Sequence, residues 1–194
     1  MLKSVRHSVA RKKLSWQKRA RSQTETVDIL ARLANVKSVI IFMPEVHEDF
    51  GLVLNRLNEF KTFFPGAKFS GVIRSNYASF VGTNTFQQLY VLGPQDIGLI
   101  GLPKREILAA ISKSSYDLLI DFNNEFDIIS TYLCSRIDAN VRVCLAHPHR
   151  EPFYNLQIRA DSCETLDQKI NTLFKYLAIL SQQSMPTRQN LLPA

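Results

Sequence analysis

The chain has 194 residues, 45% hydrophobic and 21% charged, with a formal charge of +7. That length allows one domain with a sizeable core. No apolar run approaches the ~18 residues a spanning helix needs, and the first segment lacks the apolar stretch and cleavage site of a secretory leader. Three cysteines without a CxxC pair exclude a disulfide scaffold and a zinc ribbon and fit a reducing compartment.

The charge is segregated. Residues 1–21 carry eight bases and no acid, which leaves 16 bases against 17 acids in the rest of the chain. The sequence thus reads as a basic segment (1–23), an α/β domain (24–181) and a flexible C-terminal tail (182–194). Arg11, Lys12, Lys13, Lys18, Arg19 and Arg21 are the residues expected to meet an anionic membrane, nucleic acid or an acidic protein surface. Val5, Val9, Leu14 and Trp16 interleave with them, so a partly amphipathic helix is allowed there.

Ser22 and Glu25 have capping-box spacing and predict a helix to about Asn35. Val39 to Met43 is a continuous apolar, β-branched run, as a strand buried on both faces requires. Phe50, Val53, Leu54, Leu57 and Phe64 mark a helix face that Pro65-Gly66 stops, and Phe69 to Arg74 is the next strand. Leu89 to Leu92 predicts a strand ended by Gly93-Pro94. Pro103 is placed in the first turn of a helix carrying Ile107, Leu108 and Ile111. Leu118 to Ile120 is a strand, and Ile128, Ile129, Tyr132 and Leu133 belong to the helix after it. Val141 to Ala146 and Leu156 to Ile158 are further strands. A long amphipathic helix follows through Leu166, Ile170, Leu173, Phe174 and Leu177, and from about Gln182 the apolar pattern fails. Strands alternating with helices predict a Rossmann-like, three-layer α/β domain with a mainly parallel sheet.

Gly93, Gly98 and Gly101 match neither a P-loop nor a dinucleotide fingerprint. His147 and His149 flank Pro148, which tends to point the two rings apart, so a solvated loop is expected and no metal site. Cys134 and Cys144 lie in apolar stretches, where thiols are inert filling. No cofactor is expected. The loop Pro44 to Asp49 carries more chemistry, because ligands of a parallel sheet gather at the carboxyl ends of its strands. Asp49, beside Glu48 and His47, can accept a proton from a hydroxyl, or it can cap the helix that starts there. On the residues alone, capping is the better account.

"VIIFMPEVHEDFGLVL", "FFPGAKFSGVIR" and "YDLLIDFNNEFDIISTYLCSRIDANVRVCLA" together resemble the N-terminal half of the family-nine glycosyltransferases of the GT-B fold, the heptosyltransferases. A nearer likeness, which includes "DIGLIGLPK", is to short uncharacterised bacterial proteins that keep only this half. The resemblance implies that Asp49 stands where the family has its catalytic base. It implies too that Glu45, His47, Glu48, Asn123, Asn124, His147 and Arg150 line an acceptor crevice. Glu48 replaces the family's glycine and Met43 its basic residue, and the donor-binding second half has no counterpart. The expected function is therefore a noncatalytic or partner-dependent domain in glycosyl transfer to a cell-envelope acceptor. It would be cytoplasmic or peripheral at the inner membrane, and would need a donor-binding protein for any turnover. Because Glu48 and Met43 break the motif, a vestigial site is expected, with Asp49 capping its helix and side chains filling the crevice. The alternative from another class is a non-enzymatic adaptor whose basic segment holds an anionic surface. No heptad pattern or unexplained apolar helix face announces an oligomer.

Overall fold

The computed structural model describes residues 28–183. The basic segment, Ser22 and Glu25, and the expected tail beyond Gln183 lie outside the described residues. Among the described residues eleven α-helices and strands follow in order: α1 (Ile29–Leu33), β1 (Ser38–Phe42), α2 (His47–Lys61), β2 (Lys68–Arg74), β3 (Gln88–Leu92), α3 (Arg105–Ile111), β4 (Tyr116–Asp121), α4 (Ile128–Arg136), β5 (Ala139–Leu145), β6 (Leu156–Ile158) and α5 (Leu166–Gln183), with short 3-10 turns at Ser75–Phe80 and Pro94–Asp96.

The six strands pair in the order β3-β2-β1-β4-β5-β6, and every pairing is parallel. The strand order reverses between β1 and β4, so the crevice a ligand would use opens at their carboxyl ends. Burial on both sides explains the continuous apolar runs. Val39, Ile41, Leu118, Ile120, Val141 and Val143 face the core under α1, α2 and α5. Ile40, Phe42, Leu119 and Cys144 face a second core under α3 and α4. In the first core Phe60 meets Phe122 and Phe174 with ring centroids 5.5 and 5.7 Å apart.

The amino ends of the central strands are fastened across a long stretch of chain. Asp117 Oδ2 accepts from the backbone N–H groups of Lys37 and Ser38 at 2.9 and 3.0 Å, and from Ser38 Oγ at 3.0 Å. Pro65-Gly66 forms the expected stop. The Ala67 N–H donates to the Phe64 carbonyl at 3.2 Å, and Gly66 takes φ +80°, the pattern of a type II turn.

Three helix starts have their own local chemistry, and that of α3 departs from expectation. Asp28, extended and bonded to the Ala31 N–H at 3.1 Å, caps α1. Pro103 lies outside α3 and bridges antiparallel to Ile97, with Lys104 as the cap. The helix after β6 starts on a reciprocal box. Gln168 Oε1 accepts from the Thr165 N–H at 3.3 Å and from the Glu164 N–H at 2.9 Å, and Thr165 Oγ1 accepts from the Gln168 N–H at 3.3 Å.

Candidate functional site at the carboxyl ends of the central strands

β1 ends at Phe42, and the next residues cross the rim of the sheet before α2 begins. Glu45 ties three strands together there. Its N–H donates to Asn123 Oδ1 at 3.0 Å, its carbonyl accepts from the Tyr77 hydroxyl at 2.6 Å, and its carboxylate lies 3.5 Å from Arg74. Arg74 also pairs with Asp127 at 3.3 Å, and Asp127 caps α4 by accepting from the N–H groups of Ile129 and Ser130. The hollow between β1, β2, β4 and α4 shrinks to about 20 Å³, lined by Met43, Arg74, Asn123 and Asp127 among others. Side chains pack closely at the centre of this rim.

The expectation that Asp49 caps its helix fails. Val46 occupies the cap position of α2, and Asp49, three residues into the helix, makes no bond to a backbone N–H among the described residues. Its carboxyl is half-buried, and its pKa is raised above the ordinary aspartate value. Burial is the main cause, followed by repulsion from Glu48 and Glu125, while Lys169 opposes. Lys169 on α5 donates to Asn124 Oδ1 at 3.0 Å. Asn124 and Lys169 line a second hollow of about 110 Å³ with Asp161 and Cys163. Asp49 thus lies within the electrostatic reach of Glu125 and Lys169, and Lys169 bonds Asn124 at the edge of this second hollow.

His47 stacks on Tyr77 and meets the edge of Phe80, both with centroids 5.8 Å apart. Glu48 is exposed beside it. On the far side, His147 and His149 do not point apart. Their centroids are 5.4 Å from each other, and both rings pack on Phe126. Burial, then Arg150 and His149, lower the pKa of His147. Among the described residues no group of three or more His, Cys, Asp or Glu side chains is placed to hold a metal.

Arg150 is corrected most sharply. Its side chain is fully buried, and its guanidinium donates to the carbonyls of Asn123 at 2.9 Å, Leu145 at 3.4 Å and Glu125. It stitches the strand-end loops from within and cannot line an open wall. Asp121 is the matching buried acid. Its carboxylate accepts from the Asn123 side-chain amide at 2.7 Å, Ser130 Oγ at 2.9 Å and the Tyr154 hydroxyl at 2.6 Å.

Arg74, Tyr77, Asp121, Asp127 and Lys169 were missed by sequence reasoning. Lys169 left one signal: a cation in the first turn of a helix opposes the helix dipole and so calls for a nearby acid or acceptor.

These elements define a single Rossmann-like α/β domain that matches one half of a GT-B glycosyltransferase. The chain belongs to the family of unknown function DUF6913, which it matches over residues 6–180. Its fold is similar to that of the glycosyl transferase family 9 from Veillonella parvula DSM 2008, with 21% identity and a TM-score of 0.59, over 72% of this chain and 41% of that one. It is similar also to the E. coli heptosyltransferase WaaC with ADP-2-deoxy-2-fluoro heptose, with 17% identity and a TM-score of 0.51, over 78% of this chain and 50% of that one. The chain thus spans half or less of the length of these structures. No curated protein matches it. Among the described residues no helix is long and apolar enough to cross a membrane.

Proposed function

We propose that the chain is an acceptor-side domain for glycosyl transfer to a cell-envelope sugar, dependent on a second protein for the nucleotide-sugar donor. The observation that supports this reading is Asp49: a carboxyl at the strand-end rim, free of capping, half-buried and within the electrostatic reach of Lys169. In such a reaction the Asp49 carboxylate takes the proton of an acceptor hydroxyl as its oxygen attacks the anomeric carbon. The nucleoside diphosphate leaves from the opposite face. In this reading the second protein holds and stabilises the leaving diphosphate, and turnover needs both chains.

A thermal-shift screen tests the reading. Lipid-A-like phosphosugar acceptors raise the melting midpoint, and nucleotide sugars do not. Turnover of a nucleotide sugar by the purified chain alone would overturn the partner dependence.

A further inference from the structure

The segment between β3 and α3 is a built spur. Ile97 and Pro103 pair antiparallel. The Gly98 N–H donates to the Leu102 carbonyl at 2.8 Å, and the Gly101 N–H to the Gly98 carbonyl at 2.9 Å. Gly101 takes φ +80°, so Leu99, Ile100 and Gly101 form a three-residue hairpin loop closed by a glycine bulge. Its base is anchored, because Leu102 is buried in the core beneath α3 and α4 and the Lys104 N–H donates to the Asp96 carbonyl at 2.8 Å.

The tip contradicts ordinary turn chemistry, which favours Asn, Asp, Ser or Gly. Leu99 is 86% exposed, and Ile100 beside it is 36% exposed. A groove of about 560 Å³ adjoins the tip, lined by Ile100, Lys104, Arg105, Ser112 and Arg136 and by no acidic residue. Two acids stand near the base: Asp96, whose carboxylate is engaged by the Gly93 N–H and the Gln95 amide, and exposed Glu106 in the first turn of α3, which Lys104, Arg105 and Arg136 outnumber.

We propose that this hairpin is a membrane-contact element. Leu99 and Ile100 enter the boundary between headgroups and acyl chains of an anionic bilayer, and Lys104, Arg105 and Arg136 receive lipid phosphates. Two aliphatic side chains cover far less than the ~1,200–2,000 Å² that a stable protein interface buries. A lipid surface asks only for shallow apolar insertion beside positive charge. The surface is separate from the Asp49 site and stands whether or not that site is active.

Sedimentation of the full chain with vesicles of equimolar phosphatidylglycerol and phosphatidylcholine tests this, with pure phosphatidylcholine as control. The chain pellets with the anionic vesicles only. Leu99→Asp combined with Ile100→Asp weakens partitioning ~10-fold or more, and its melting midpoint stays close to that of the wild type because Leu99 is almost wholly exposed and Ile100 lies at the open edge of the groove. A second measurement uses Leu99→Trp in a Trp16→Phe background, so that the single tryptophan reports on the tip. Its emission moves to the blue with anionic vesicles and is quenched by brominated acyl chains. Partitioning unchanged by the double aspartate variant would assign binding to the basic N-terminal segment and overturn the proposal. So would a blue shift that follows protein concentration without lipid, which would place a second copy on the tip. Failure of the wild type to pellet with either vesicle would overturn it as well.

Discussion

Lys169 reaches from α5 to Asn124, its Nζ 3.0 Å from Asn124 Oδ1, and in that position it is the cation that offsets the acids around Asp49. A carboxyl on α2 and an amine on α5 are thereby electrostatically joined at the rim of the sheet. Lys169→Met removes the lowering influence, so the Asp49 pKa rises further above its ordinary value. Carboxyl-carbon NMR titration of the two proteins measures the shift. An unchanged or lower Asp49 titration in the variant would refute the coupling.

Asp49→Asn separates capping from chemistry. A folded-state pKa raised above the unfolded value means that the native state binds the extra proton, so this group's contribution falls as pH rises through the raised value. Wild type therefore loses some stability just above the ordinary aspartate range, and Asp49→Asn does not. At neutral pH the variant melts no lower than wild type, since no capping bond is lost. Any acceptor-dependent transfer disappears. A fall in the neutral-pH melting midpoint would argue that the carboxylate serves the helix after all.

Arg150→Met tests a structural role. The methionine leaves three carbonyls without their donor and Asp121 without its nearby cation. The expected loss is ~3 kcal/mol or more, read as a lower urea midpoint at unchanged slope. A stable variant with impaired ligand binding would return Arg150 to the crevice wall.

Asp127 serves α4 and Arg74 together, and two substitutions divide the roles. Asp127→Ala loses the cap and the ion pair, at a cost of ~1–2 kcal/mol in denaturant unfolding. Asp127→Asn keeps a good cap and loses only the charge, so it costs less. Equal losses in both variants would mean that the Arg74 pair, and not the cap, carries the energy.

The central sheet was legible because a strand buried on both faces must be a continuous apolar run, as Val39 to Met43 and Leu118 to Ile120 are. The position of the strand-end loop was legible for the same reason: topology puts it at the carboxyl ends. Arg150 was not, because the groups that hold it are main-chain carbonyls of Asn123, Glu125 and Leu145, and carbonyls leave no residue signature. Pro148 misled about the paired histidines. Phe126, more than twenty residues earlier in the chain, supplies the apolar surface on which both rings settle. Asp49 was read as a cap from its place near a helix start. The local geometry gave the cap position to Val46, whose side chain makes no bond there.

The Asp117 fastening has a consequence for synthesis. β1 is the first of the described strands in chain order and sits at the middle of the sheet, and one of its two flanks is β4, whose Asp117 lies 80 residues beyond Lys37. A nascent chain can pair β1 with β2 early, but the other edge of that fully apolar strand waits until β4 has left the ribosome. Throughout that interval the most aggregation-prone segment of the protein carries an open edge. Completion of the domain therefore waits on translation of its second half.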